Sequence, residues 1–389
     1  MDTDNGIFGI ISYVVVVILS IAFLYFGNRL VTVDTTIYYE EARFFEARVR
    51  EVVTIIDHGD RRAITFEAEI TRGERRGEVA GFTQNIHEQP TGRPPREARV
   101  GDRVVLALTA QGAWSFVDYV RIYNILILGA VFIILLTVFG RVKGFNSVLS
   151  LGFVCIAIFA VFIPSILSGR NIYMSSIIVC VYSIASTLFL INGVNKKSVA
   201  AVTGCLGGII AAGVLILIMD LSLGLTGVTR SESLHLLYLT EYPIDLNAII
   251  FAGIIIGATG AIMDMSMSIS SAIWELKETR TTFSELYRSG INIGKDIVGS
   301  NINTLVLAYI GGSLTVVLIF LAGDISFVRL FNREWVIVEL LQIIIGGFGI
   351  FFTMPLTALV CAALFSSYGG SGKNNASSDV YTDSWETIK

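Results

Sequence analysis

The chain has 389 residues, 53% of them apolar and 15% charged, with a net charge of −4 and a mean hydropathy of +0.70. A composition this apolar at this length excludes an ordinary water-soluble globule. The near-neutral charge supplies no basic field, so no nucleic-acid partner is expected.

The apolar residues are grouped into runs of roughly 20, the length that crosses about 30 Å of hydrocarbon. Eight spans are predicted, over 6–26, 122–140, 147–168, 172–192, 199–220, 247–269, 297–322 and 336–365. Helices are the open-ended structures that satisfy their own backbone in lipid, so an α-helical integral membrane bundle is expected. Residues 1–26 read as an uncleaved anchor. Met1-Asp2-Thr3-Asp4 carries no basic group, and no small-residue cleavage site follows Phe26.

Residues 27–121 are different material. They hold fourteen Arg and no Lys against fifteen acids, and show alternating runs at Ala47–Ile56, Ala63–Ile70, Glu78–Asn85, Arg103–Thr109 and Trp114–Tyr119. Turn-forming breaks such as Gly92-Arg93-Pro94-Pro95 separate them. The pattern predicts a small all-β domain, OB-like or barrel-like.

Residues 122–365 form the predicted seven-helix membrane domain. Within it, an amphipathic segment near 271–289, with Trp274 and Tyr287 as anchors, is expected along the cytoplasmic surface. Residues 366–389, rich in Gly, Ser, Asn and Asp, predict a disordered cytoplasmic tail. Orientation follows from basic residues in the short loops. Arg141, Lys143, Lys196, Lys197, Lys277, Arg280, Arg288 and Lys295 lie on one side, against Arg170, Arg230, Arg329 and Arg333 on the other. The richer side is cytoplasmic, which puts both termini there and residues 27–121 outside.

Polar groups inside hydrocarbon are costly, so intramembrane ionisable residues are the first candidates for function. In the sixth span Gly253, Gly257, Gly260, Asp264, Ser268, Ser271 and Glu275 recur at steps of three and four and share one helical face. The small residues would admit a neighbouring helix, turning Asp264 toward protein rather than lipid. The competing reading caps a shortened helix with Asp264 near the headgroups. The seventh span aligns Asn292, Asp296, Ser300, Asn303 and Gly311, with Asn301 and Thr304 alongside. The eighth aligns Glu339, Gln342, Gly346, Gly349 and Thr353, and Asp220 lies at the outer end of the fifth. The glycines are read as helix-packing positions. Asp264, Ser268, Ser271, Glu275, Asp296, Ser300, Asn303, Asp220 and Glu339 are read as a candidate ion or proton pathway.

No cofactor, metal site or enzyme activity is expected. The four cysteines lie singly in apolar runs, the three histidines lie outside the spans, and HExxH, GxSxG and GxGD motifs do not occur.

The stretch from Gly257 through Asp264 to Glu275, the stretch from Gly294 through Asp296 and Asn303 to Tyr309, and Met354-Pro355-Leu356-Thr357 resemble the YibE/F-like family of bacterial multi-pass membrane proteins. The resemblance covers nearly the whole chain. It implies a bacterial cell membrane, one anchor, an outer domain and a seven-helix block. Gln342 and Thr315 depart from it, standing where Arg and Pro are expected. A looser similarity joins the last five helices to the Sec export accessory pair and other RND-type permeases, in which intramembrane carboxylates carry protons. The expected function is a transporter or permease, ion-coupled, with the lipid bilayer and a second membrane subunit or another copy of the chain as partners. The alternative is a scaffold that presents the β domain.

Overall fold

The computed structural model describes residues 3–31, 43–57, 61–87, 96–109, 112–229, 231–238, 242–279, 282–322 and 326–366. They divide into two compact units, Asp34–Val138 and Met1–Val33 with Phe139–Lys389.

Among its described residues, the first unit contains five strands, β1 Arg43–Asp57, β2 Arg61–Ile70, β3 Val79–His87, β4 Arg103–Leu108 and β5 Trp114–Tyr119. Each overlaps a predicted run. They form one antiparallel sheet in the order β3-β2-β1-β4-β5. Alternation buries Val49, Ile64, Phe66, Ala68, Ile70, Val104 and Leu106 on one face. Register shifts in β1 at Val49/Glu51 and Val52/Thr54 tighten the twist, as bulges do. The sheet curls until its edges meet. Phe82 of β3 stands 5.8 Å from Trp114 of β5, and the Tyr119 hydroxyl lies 3.2 Å from Gln84 Oε1 and 3.0 Å from the Arg96 carbonyl. Burial pushes the Tyr119 phenol above its usual range. Phe66, fully buried, packs against Phe82 and Phe116. Phe66→Ala is expected to destabilise this unit by about 3–5 kcal/mol, measured by denaturant unfolding of the excised β unit.

Among the described residues, seven helices are long and apolar enough to cross a membrane. The first is in α1 Thr3–Leu30. The second runs from Ile122 to Leu167, 46 residues, through α2 Ile122–Ile156, a π-helical stretch Ala157–Phe162 and α3 Ile163–Leu167. At about 1.5 Å per residue it is more than twice the hydrocarbon thickness. It holds both the second and third predicted spans, and its backbone breaks between them at Arg141, with φ 49 and ψ −130. The π stretch precedes Pro164, whose missing N–H and bulky ring disturb the preceding turn.

The remaining spans lie in α4 Ile172–Asn192, α5 Lys196–Leu223, α7 Leu246–Leu276, α8 Phe283–Ala322 and α10 Glu334–Ser366. The short helices α6 Ser231–Tyr238 and α9 Phe327–Phe331 join them. α7 is the central element: Ile254, Ile255, Ile262, Met265, Ile269 and Ile273 are fully buried in a core shared with α4, α5, α8 and α10. The amphipathic segment 271–289 is shared between two helices. α7 continues to Leu276 and α8 starts at Phe283. Gly290 lets α8 approach Ala358 of α10 and Ile273 of α7 closely. The tail 367–389 lies outside the described residues.

Candidate functional site

The α7 stripe is formed as one helical face, but not the face that enters the core. Asp264 is well inside the helix, twelve residues or about 18 Å from its end at Leu276, so it caps nothing. Gly253, Gly257, Gly260, Asp264, Ser268 and Glu275 are exposed, and Ser271 is half-buried. The buried face lies opposite, where Ala258, Ile262, Met265, Ser266 and Ile269 meet the other helices. The expected packing role of the stripe is therefore corrected within this chain. Among the described residues, nothing approaches Gly253 or Gly260 where a side chain would stand, while Gly257 lies beneath the Tyr309 hydroxyl of α8. Apolar bulk decided the matter: the Ile and Met residues gain more from burial than the glycine face can offer.

Other predicted residues separate similarly. Asp296, Ser300, Asn303 and Gly311 of α8 are exposed, and Gly311 has open space around it. Gly346 and Gly349 of α10 do pack, against Leu305 and Ile262 respectively. The glycines that bring helices closest lie outside the stripes read from the sequence. Gly204 and Gly208 of α5 lie against Thr357 and Thr353 of α10. Their four-residue spacing is a small-residue packing signal that a reading focused on carboxylates overlooks.

Among the described residues, the buried polar side chains between α5, α7 and α10 are uncharged. Ser266 Oγ donates to the Ala201 carbonyl at 2.8 Å and lies 2.8 Å from Thr357 Oγ1. Ser270 Oγ donates to the Lys197 carbonyl at 2.7 Å. These hydroxyls tie α5, α7 and α10 together.

Charge gathers at the opposite end of the helices from Lys277. A cavity of about 280 Å³ is lined by Thr229, Ser233, Trp335, Glu339, Gln342 and Gly253, among others. Its rim is held by Glu334, whose carboxylate accepts from the Thr226 and Gly227 amides at 2.8 and 2.6 Å and from Thr226 Oγ1 at 2.7 Å. Gly227, at φ +79 and crowded by Leu246, leaves no room for a side chain. Glu339 lies within electrostatic reach of Tyr309, and Tyr309 covers Gly257. From Gly253 at the cavity the stripe descends through Gly257 and Gly260 to Asp264, about 16 Å along the helix axis. Asp220 and Asn247 line a separate, smaller cavity beside Tyr173.

Among the described residues, no group of three or more His, Cys, Asp or Glu side chains is placed to hold a metal. All four cysteines are free.

No curated protein and no solved structure matches the chain, so none carries the looser likeness to export accessory proteins or RND-type permeases. A family profile does match, over residues 128–367. That range includes α4 to α10, the whole Gly257–Glu275 stretch and the Gly294–Tyr309 stretch. With its apolar helices long enough to cross a bilayer, the chain is a multi-pass membrane protein that belongs to the YibE/F-like protein family.

Proposed function

We propose that the chain is a permease-like protein of the bacterial cell membrane that moves a small solute or ion, coupled to protons or another ion. One observation carries the reading: the 280 Å³ cavity opens at Gly253, at the head of the stripe that ends on Asp264. A cavity with one carboxylate, an amide, two hydroxyls and apolar walls has the make-up of a small-ligand site. A titratable group deep in a spanning helix is where coupled transport would be sought.

Asp264 faces away from the chain's own core, and a carboxylate bare to lipid is costly. The reading therefore includes a second copy of the chain, or a second membrane subunit, laid on the α7 stripe. The break at Arg141 supports counting Ile122–Leu167 as two crossings, eight in all. Loop charge then puts both termini in the cytoplasm and the β unit outside. The strand order of that unit, with β5 curling against β3, supports an OB-like barrel.

Proteoliposomes containing the full chain should show a flux of protons, common cations or small solutes above protein-free vesicles. A sealed preparation with no flux over that panel favours the scaffold that presents the β unit. Orientation has its own test. Lys196 and Asn332 are both exposed, on opposite sides in this reading. In intact cells, an impermeant thiol reagent should label Asn332→Cys and spare Lys196→Cys, and the reverse pattern would invert the topology.

A further inference from the structure

We propose that the β unit grips the phosphate of an anionic phospholipid where α2 enters the bilayer, with the guanidinium groups of Arg72 and Arg103 beside Tyr123. The uncharged run 122–140 is about 28 Å of helix, close to the hydrocarbon thickness. Tyr123, the second residue of α2, therefore stands at the level of the headgroups, where tyrosine rings are favoured. Ile125, Leu126, Ile127 and Leu128, which follow it, are exposed, as lipid-facing side chains must be.

The outer face of the sheet lies at the same level. Arg48 of β1 and Arg103 of β4 are exposed and alternate with the buried Ala47 and Val104. The Tyr123 hydroxyl donates to the Glu46 carboxylate at 2.9 Å, which fixes the ring against this face. The guanidinium carbons of Arg103 and Arg72 lie over that ring, 4.9 and 5.7 Å from its centroid. All these residues belong to the unit Asp34–Val138.

Charge is unbalanced at this point. Elsewhere in the unit arginines are paired, Arg43 with Glu74, Arg50 with Glu69, Arg96 with Asp102 and Arg121 with Asp118. Around Tyr123, Arg48, Arg72 and Arg103 share Glu46, which Arg72 reaches only at 3.9 Å. Among the described residues Arg103 has no ion pair, and Arg48 bonds the Gly101 carbonyl. Arg48 and Arg103 are directly opposed across the strands, a like-charge contact that an anion relieves. A guanidinium stacked on an aromatic ring keeps its N–H edge for phosphate oxygens. The N-terminal end of α2, with no acid in its first turn, adds a positive pole. Arg72, Arg43, Phe44 and Glu46 also border an open depression of about 580 Å³, which leaves room for the rest of a headgroup. Lipid phosphate is the anion favoured here, because hydrocarbon begins within about one turn of Tyr123.

The site holds for a permease or a scaffold alike, and requires only that 122–140 cross the bilayer. The test uses the purified full chain in a neutral detergent. Dioctanoyl phosphatidylglycerol is titrated in, with dioctanoyl phosphatidylcholine and inorganic phosphate in parallel. Phenylglyoxal then modifies the arginines, and peptide mass spectrometry reads the rate at each one. Saturable protection of Arg72 and Arg103 by phosphatidylglycerol, about fivefold or more, is expected. At equal concentration the other two probes should protect less than about twofold. Arg62, eleven positions along β1 from Glu46 through its pairing with Asp57, should react at the same rate throughout. A basic side chain near a lipid surface strengthens anionic-lipid binding by about fivefold. Arg103→Gln should therefore raise the phosphatidylglycerol concentration that half-protects Arg72 by about that factor. The wild-type comparison carries the test if this variant does not fold. No protection, or equal protection by phosphatidylcholine or inorganic phosphate, would overturn the site. So would protection of Arg62 equal to that of Arg72, or an unchanged midpoint in folded Arg103→Gln.

Discussion

Asp264→Asn is expected to reduce flux in proteoliposomes by about a hundredfold or more while the protein still accumulates and remains monodisperse. The substitution keeps shape and polarity and removes only the ability to carry a proton. Loss of a positioned acid or base typically costs a factor of about 10²–10⁴. Folding should tolerate the change, because the carboxylate makes no hydrogen bond or ion pair among the described residues and the α7 core lies on the opposite face. An amide is also cheaper than a carboxylate to take out of water, so stability should hold or rise slightly. Ser266→Ala provides the contrast. It removes two hydrogen bonds in the buried contact of α5, α7 and α10, and should lower thermal stability while leaving a measurable flux. A fully active Asp264→Asn would rule out proton carriage at this residue.

Gly208→Val should prevent the helical unit from assembling. A β-carbon at Gly208 would overlap Thr353 Oγ1 and stand 2.8 Å from the backbone carbonyl oxygen of Gly349. Thr353 cannot easily rotate away, since its hydroxyl donates to that same carbonyl at 2.7 Å. Gly204, one turn earlier, is as tightly placed against Thr357 and Ser266. Overpacking a well-filled core costs about 1–3 kcal/mol, and more where backbone must move. The crossing of α5 and α10 has no slack on either side, so the upper end of that range is expected. Size-exclusion chromatography of the detergent-extracted full chain should show loss of the monodisperse peak. Gly152→Val, at an exposed glycine with open space around it, should elute like wild type. A normal peak from Gly208→Val would mean the helices are farther apart than this packing requires.

The five strands and the spanning helices could be read from the sequence because each depends on local, periodic information. Alternation over Ala63–Ile70 can bury only one face of a strand, and an uncharged run such as 172–192 can satisfy its backbone only as a helix. The stripe from Gly253 to Glu275 was equally legible as a face, since steps of three and four determine which residues align. Which way that face points was not legible. The direction depends on competition among faces of several helices, and in α7 the Ile and Met side chains took the core while Asp264 remained outside it. The pairing of Gly204 and Gly208 with Thr357 and Thr353 also needed the third dimension, because it joins residues about 150 positions apart. The Asp220, Asn247 and Tyr173 cavity arises the same way, from three helix ends whose separation in sequence conceals their meeting. Sequence alone thus determined what this chain is made of, membrane helices and one small β unit. Tertiary packing decided which polar groups are buried, which are exposed and which share a cavity, because burial is a property of neighbours that no single segment contains.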